Sequence, residues 1–226
     1  MNKRFYIFFL VFVYSISLSA KVIKEYFPNK KLKSIGNYEL CKTKSQKKYI
    51  KSGKFKAYYL SGELAYELTY KDDKKDSKMI WYDKDGNIIE IMPYSMGKRE
   101  GVEKRFYPNG SLKYTVKYIN DKKEGEEKFF YQNGTLAEVS NYKNGKREGE
   151  KKEYYPDGKL YSKVLYINNY KEGKKLWFDK DGKINKIKEF KMDRPLEFYS
   201  NNKKDSYGNL IKLKGVDFNP NSKKIQ

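Results

Sequence analysis

The stretch "YYPDGKL", residues 154–160, has the composition of a tight turn between two strands. Pro156 presets the first turn dihedral, Asp157 tolerates the second, and Gly158 can take the positive φ of a bulged hairpin. The stretch recurs as "FYPNGSL" at 106–112 and "FYQNGTL" at 130–136, with weaker copies "YYLSGEL" and "WFDKDGKI" on either side. Such recurrence is typical of a structural repeat and not of a single active site.

The glycines of these turns recur at a fixed interval. They are spaced 24 residues apart at Gly62, Gly86, Gly110, Gly134, Gly158 and Gly182. A second glycine precedes the turn glycine by nine residues in five units, and Ser77 replaces it in one. We therefore count six units, which start at Gly53, Ser77, Gly101, Gly125, Gly149 and Gly173.

Three further positions are apolar in every unit. Five residues after the start stand Tyr58, Tyr82, Phe106, Phe130, Tyr154 and Phe178. Eleven residues after it stand Leu64, Ile88, Leu112, Leu136, Leu160 and Ile184, and seventeen after it stand Tyr70, Tyr94, Tyr118, Tyr142, Tyr166 and Phe190. The alternation between these columns has period two, which predicts strands. We expect the columns to form the core, and each unit to be a strand, a tight turn, a longer strand and a charged loop such as "INNYKEG".

The pattern resembles a known family. A glycine, an aromatic pair, (Asn/Asp)-Gly-x-(Leu/Ile), a Tyr and a Glu-Gly loop, as in "YPNGSLKYTVKYINDKKEG" and "YPDGKLYSKVLYINNYKEG", are similar to the MORN-repeat variant found in proteins labelled YwqK-type antitoxins. The resemblance covers about residues 53–195. It implies an all-β fold, an elongated single-layer antiparallel sheet of tandem 24-residue hairpins, and a role in protein or membrane contact. It implies no catalytic residue.

The chain divides into four predicted segments. Residues 1–20 combine Lys3 and Arg4, an apolar run and small residues, which is the layout of a secretory signal peptide. The alternative is a retained membrane anchor, but the apolar run is shorter than a membrane span requires, so we predict cleavage near Ala20 and no transmembrane anchor in the mature protein. Residues 21–52 are a basic segment with a degenerate unit, "YFPNKKLK" at 26–33. Residues 53–196 hold the six repeats. Residues 197–226 hold another degenerate unit, "DSYGNLIKL" at 205–213, and a C-terminal cap or tail. We expect an extracytoplasmic protein, periplasmic or secreted.

Composition excludes several kinds of chemistry. The chain has no His, which removes Ser-His-Asp and Cys-His catalysis and His-containing zinc sites. Its one cysteine, Cys41, cannot form an intrachain disulfide, and we interpret it as a minor packing residue. The pairs Asp72 with Asp73 and Asp179 with Asp181 fall in turn positions and lack the spacing of a calcium loop. We predict no catalytic residue, no metal site and no cofactor.

The charge is strongly positive, with a formal net charge of +21. It is dense around the N-terminal lysines Lys42, Lys44, Lys47, Lys48 and Lys51, where the alternatives are contact with an anionic surface and a solvated leader. Anionic partners are compatible with this charge, but coding bias toward Lys would also explain it. Nucleic acid is the less favoured partner, because no aromatic pair interleaves these lysines.

Three functions remain open from the sequence. The first is an exported, non-enzymatic repeat scaffold that contacts a protein partner or an anionic cell-envelope component. The second is an antitoxin or immunity protein, and the third, least favoured, is a hydrolase that uses Asp or Glu alone. For the first, the candidate partner-binding residues are the second aromatics of the repeated pairs, Tyr59, Tyr107, Tyr131 and Tyr155. We predict that they point away from the first aromatic column, either to bind a partner or to cover the second face of the sheet.

Overall fold

A computed structural model of the protein describes residues 20–42 and 47–195, which consist of β-strands and turns. In chain order the strands are β1 (Ala20–Tyr26), β2 (Leu32–Lys42), β3 (Lys47–Tyr58), β4 (Leu64–Lys71), β5 (Lys74–Lys75), β6 (Ser77–Tyr82), β7 (Ile88–Ser95), β8 (Lys98–Arg99), β9 (Gly101–Phe106), β10 (Leu112–Ile119), β11 (Lys122–Phe130), β12 (Leu136–Lys143), β13 (Lys146–Arg147), β14 (Gly149–Tyr154), β15 (Leu160–Ile167), β16 (Tyr170–Phe178), β17 (Ile184–Lys191) and β18 (Arg194–Pro195). Within these ranges no helix is long and apolar enough to cross a membrane.

All 18 strands belong to one sheet, and every pairing joins strands that are close in sequence. The short strands β5, β8 and β13 share their partner strand with the next strand along the chain, so each is the first part of an interrupted strand. The predicted all-β fold, an open antiparallel sheet of tandem 24-residue hairpins, is confirmed. Most of the signal peptide and the degenerate unit at 205–213 lie outside the described residues.

The quoted repeat is a turn, as its sequence predicts. In the third unit the Tyr107 amide donates to the Ser111 carbonyl at 2.9 Å, and the Gly110 amide donates to the Tyr107 carbonyl at 2.8 Å. Gly110 has a φ of 80°, which a glycine adopts without strain. The degenerate unit at 26–33 makes the same turn, and Lys30 there takes a φ of 66°.

The predicted charged loop between units is wrong in its geometry, because the structure has a second tight turn at that place. Its two central residues both have positive φ, as in Asn120 at 49° and Asp121 at 67°. This is the type I′ geometry that matches the twist of a hairpin. Asn and Asp tolerate the left-handed region better than other residues with a side chain. Asp72 and Asp73 occupy such a turn, which confirms their predicted structural role.

A bulge after each bulged turn decides which face each column occupies. In the third unit Tyr114 pairs with Arg105 and Leu112 pairs with Phe106, so Lys113 is left unpaired. Equivalent register shifts occur in the other described units. An extra residue reverses the alternation of sides, so the first and second predicted columns lie on the face opposite the third.

The buried core is therefore narrower than predicted. We call the face that carries Tyr118 the core face and the other the outer face. Tyr118 and Tyr166 of the third column are 4% and 6% exposed. The first column is half-buried throughout, and Ile88 and Ile184 of the second column are exposed. Leu136 and Tyr154, from these two columns, line a shallow depression on the outer face with Lys128, Val139 and Lys152.

The sheet is extended between the degenerate unit and the first full unit by an arm, which consists of residues 38–42 of β2 and 47–51 of β3. Lys30 and Gly62 occupy equivalent turn positions but are 32 residues apart instead of 24. The additional residues lengthen β2 and β3, whose pairing continues from Tyr38 opposite Lys51 to Lys42 opposite Lys47. The arm begins at the edge of the sheet that carries the type I′ turns, where the Lys51 amide donates to the Asp73 carboxylate at 2.7 Å.

Candidate interaction surface

The four candidate tyrosines link neighbouring units. Each ring is half-buried, and each hydroxyl donates to the backbone carbonyl of the residue 23 positions later. The pairs are Tyr59 with Tyr82 at 2.6 Å, Tyr107 with Phe130 at 2.8 Å, Tyr131 with Tyr154 at 2.6 Å and Tyr155 with Phe178 at 2.9 Å. The hydroxyls therefore have a structural partner already, and the role of these rings in partner binding stays a prediction.

Asp83 and Asp179 replace the tyrosine in the second and sixth units and act within their own turns. The Asp83 carboxylate accepts the amides of Asp85 at 2.9 Å and Asn87 at 2.8 Å. The Asp179 carboxylate accepts the amides of Asp181 and Lys183, each at 2.9 Å. This confirms the prediction that Asp179 and Asp181 serve turn geometry. The row of tyrosines is therefore interrupted in these two units.

A row of alternating cations and rings runs along the core face beside the type I′ turns. The residue two positions before each unit is basic. In the second to sixth units it pairs across the strands with the third-column residue of the preceding unit, and its charge lies over the third-column ring of its own unit. The Arg99 guanidinium is 4.2 Å from the centroid of the Tyr118 ring, and the Lys75 ammonium is 4.7 Å from that of Tyr94. The other members of the row are Lys51 with Tyr70, Lys123 with Tyr142, Arg147 with Tyr166, and Lys171 with Phe190. These cations are therefore engaged in structure.

The basic N-terminal cluster is partly used in the same way. The Lys51 ammonium lies 4.6 Å from the Phe55 ring centroid, and Lys48 pairs with Asp73 at 3.9 Å. The side chains of Lys42 and Lys44 lie outside the described residues. The sequence does not indicate which of these lysines have a structural partner. The run of lysines looks uniform, and only the folded structure shows which of them lie beside an aromatic ring or a carboxylate.

The core face changes from apolar to charged along the array. In the first two units it is lined by a cluster of Phe55, Ala57, Leu68 and Met79. In the third unit Glu103 takes the position of Phe55 and is completely buried. Its carboxylate lies 2.6 Å from the Arg105 guanidinium, which is also 3.6 Å from Glu90. Burial raises the pKa of Glu90, although Arg105 opposes this effect.

The fourth and fifth units continue this charged lining. The Glu127 carboxylate is almost fully buried, accepts the Tyr114 hydroxyl at 2.7 Å and contacts the Lys123 ammonium. Farther along, the Lys151 ammonium lies 2.9 Å from Glu138 and 3.0 Å from Glu153. Each carboxylate has a cation and a hydroxyl partner, as burial of charge requires.

The pKa of Glu153 makes this network sensitive to acid. Burial tends to raise that pKa, but the hydroxyl of Ser162 and the ammonium of Lys151 hold it at about 2. Because the folded pKa lies below the value of 4.5 for an unperturbed Glu, the stabilisation is present above pH 4.5 and is lost as the pH falls through 2.

We predict that the stability of the Glu153→Gln variant falls less steeply than that of the wild type between about pH 4.5 and pH 2. The wild-type free energy of unfolding should decline more steeply between about pH 4.5 and pH 2, with a difference in slope of at most about 1.4 kcal/mol per pH unit. Urea denaturation at several pH values measures both slopes. Glu126→Gln, which changes an exposed carboxylate, is the matched control and should retain the wild-type slope. Equal slopes for Glu153→Gln and the wild type would contradict the prediction.

The outer face carries a mixture of lysines and aliphatic residues. Lys104 pairs across the strands with Thr115 and Ile91, and Lys128 pairs with Val139. Several aliphatic side chains there are exposed, among them Val102 at 44% and Leu165 at 40%. An open sheet of one layer thus presents a continuous, mixed surface on this side.

The described residues contain no enclosed chemical site. No group of three or more His, Cys, Asp or Glu side chains in that part of the chain could hold a metal ion. Cys41 is a half-buried free thiol on the arm. The buried carboxylates of the core face are paired with cations inside the repeat register, which is the arrangement of a structural network.

Comparison with known proteins identifies the repeat. A family model described as "MORN repeat variant" matches seven segments, residues 22–40, 51–72, 75–96, 99–120, 123–144, 147–168 and 171–192. The first of these contains the degenerate unit, and the gap before the second, residues 41–50, lies within the arm. A comparison with curated proteins finds no match.

Two solved structures show distant similarity. One is titled "Crystal structure of GtfA/B complex bound to UDP and GlcNAc"; it is 12% identical with a TM-score of 0.24, and the match covers 54% of this chain and 23% of that one. This chain thus spans less than a quarter of that protein. The other is a porin-like protein from Bacteroides uniformis, 8% identical with a TM-score of 0.19, and the match covers 81% of this chain and 89% of that one. At these TM-scores neither similarity informs fold or function.

Proposed function

This chain belongs to the MORN repeat variant family, and on that basis we propose that it is an exported, non-enzymatic scaffold that binds a protein partner or an anionic component of the cell envelope. The observation that carries the proposal is the uninterrupted repeat. From Gly53 to Gly182 the 24-residue register holds without an insertion. The buried carboxylates of Glu103 and Glu127 occupy the same position in two successive units. Stacked repeats of this kind produce long regular surfaces, which suit large or extended partners.

The proposal places the protein outside the cytoplasm. Its support is the basic, apolar and small-residue order of residues 1–20. An antitoxin or immunity role would use the same surface against a single toxin. An adjacent toxin gene would favour that alternative.

The row of turn tyrosines offers a test of recognition. Tyr107→Ala removes both the ring and its hydrogen bond to the Phe130 carbonyl, whereas Tyr107→Phe removes only the hydrogen bond. If the ring binds a partner, we expect the Ala variant to lose capture of that partner from envelope extracts and the Phe variant to retain it. Loss of the hydrogen bond should cost each variant about 1 kcal/mol of stability.

The measurement is a pull-down with each folded variant as bait, together with urea denaturation of each. Tyr131→Ala and Tyr131→Phe repeat the comparison one unit away. Lys113→Ala is a local control, because the Lys113 ammonium lies 5.4 Å from the Tyr107 ring centroid. If both Ala variants lose stability while their folded fractions capture the partner as well as wild type, the tyrosines serve only to join units, and the binding surface lies elsewhere.

A further inference from the structure

The two turn edges of the sheet differ in charge. The type I′ edge consists of residues 71–75, 95–99, 119–123, 143–147, 167–171 and 191–195, and it carries thirteen Lys or Arg and four Asp. The bulged edge consists of residues 58–63, 82–87, 106–111, 130–135, 154–159 and 178–183, and it carries four Lys and six Asp or Glu. A uniform excess of lysine from coding bias would raise the charge of both edges. The structure therefore separates a basic edge from a nearly neutral one.

Part of the basic edge is free for contact. The cations that directly face the third column, such as Arg99 and Arg147, lie over rings of the core face. One residue earlier in four successive units stands an exposed lysine on the outer face; we call these four the lysine row, Lys74, Lys98, Lys122 and Lys146. Among the described residues none of the four makes an ion pair; Lys98 and Lys146 are each 3.4 Å from an Asn amide oxygen in the next turn.

The geometry of the row limits what can bind it. Successive members are separated by two strands, a distance of about 9.5 Å. Sheets twist by about 20 to 25° per strand, so the strands that carry successive lysines are rotated by roughly 40 to 50° relative to each other. A flat bilayer meets only part of a row carried on strands that rotate in this way, whereas a flexible linear polymer can follow it.

The chemistry of the row favours one class of polymer. Single-stranded nucleic acid needs aromatic rings on which bases stack, and these four positions are all lysine. Lysine is a compact point charge that pairs with a carboxylate without a demand for planarity. Widely spaced lysines thus match a polymer whose acidic groups are also widely spaced, such as one carboxylate in each disaccharide.

We propose that the lysine row is a binding site for a linear acidic glycan that lies along the type I′ edge. The inference rests on the proposed function, since it names the anionic envelope component and the part of the scaffold that contacts it. Each exposed lysine contributes little alone, but contacts that form on one polymer add up. Binding should weaken as salt rises, because exposed charges are screened.

The experiment measures binding of the full chain to hyaluronan, which has one carboxylate per disaccharide, at low and at physiological salt. The test variant carries Lys→Gln at Lys74, Lys98, Lys122 and Lys146. The matched control carries Lys→Gln at four exposed lysines of the bulged edge, Lys84, Lys159, Lys180 and Lys183. Both variants lose the same charge. We expect the test variant to bind about tenfold more weakly at low salt and the control to bind like wild type.

Other probes separate the proposal from its competitors. Equal losses in both variants would show attraction to net charge alone and would overturn the site. Row-dependent binding to phosphatidylglycerol vesicles or to oligo(dT), with none to hyaluronan, would overturn the glycan as occupant. If wild type captures an envelope partner but does not bind hyaluronan, this inference fails and the scaffold function stands; if it does neither, both fail.

Discussion

Replacement of Tyr118 by Ala is expected to lower the free energy of unfolding by about 3 to 5 kcal/mol, the cost of deleting a buried aromatic ring. The ring is 4% exposed and belongs to a cluster with Met92, Tyr114 and Val116. It lies opposite Gly101 in the strand pair, and the Arg99 guanidinium covers it at 4.2 Å. Loss of the ring would leave a cavity on the core face. Because the sheet has one layer, no second layer can move in to fill that cavity. Urea denaturation of wild type and variant measures the difference.

Two matched variants test the assignment of faces. Ile119 is the next residue on the same strand and is 38% exposed, so Ile119→Ala should change stability by less than about 1 kcal/mol. Phe130 belongs to the first aromatic column, which the sequence placed in the core. Because Phe130 is only half-buried, Phe130→Ala should cost clearly less than Tyr118→Ala. If the two aromatic variants lose equal stability, the division into a core face and an outer face is wrong.

Replacement of Arg105 by Met should destabilise the protein by about 3 kcal/mol, the lower end of the range for breaking a buried ion pair. Glu103 is completely buried, and the Arg105 guanidinium is the cation nearest to its carboxylate at 2.6 Å. Without Arg105 the buried carboxylate loses its nearest counter-charge. The estimate is at the lower end because the Arg105 side chain is itself 49% exposed.

A second substitution should restore most of this loss. Glu103→Gln removes the charge that Arg105 neutralises, so the double variant Glu103→Gln/Arg105→Met should recover a large part of the stability. Lys104→Met, at the exposed neighbour on the outer face, is the control and should remain within about 0.5 kcal/mol of wild type. Equal stability of Arg105→Met and Lys104→Met would show that Glu103 does not depend on this pair.

The candidate site was only partly visible in the sequence. The tyrosines were identifiable from the repeat, but their bonds to a carbonyl 23 residues later depend on the neighbouring unit lying alongside. The lysine row was not identified, because lysines occur throughout the chain. It becomes distinct only when the rings of the core face engage the adjacent cations and leave Lys98 and its equivalents exposed.

The sequence by itself determined the period, the strands and the bulged turn, because these depend on local chemistry. Gly110 and its equivalents permit positive φ, and alternating side chains favour extended backbone. Only the tertiary structure decided the faces. One unpaired residue, Lys113 in the third unit, reverses the alternation, so Leu112 and Tyr118 lie on opposite sides despite their even spacing. Pairing between β7 and β9 also placed Glu90 opposite Arg105, which lies two residues from Glu103 on the same strand, so that one cation neutralises two carboxylates.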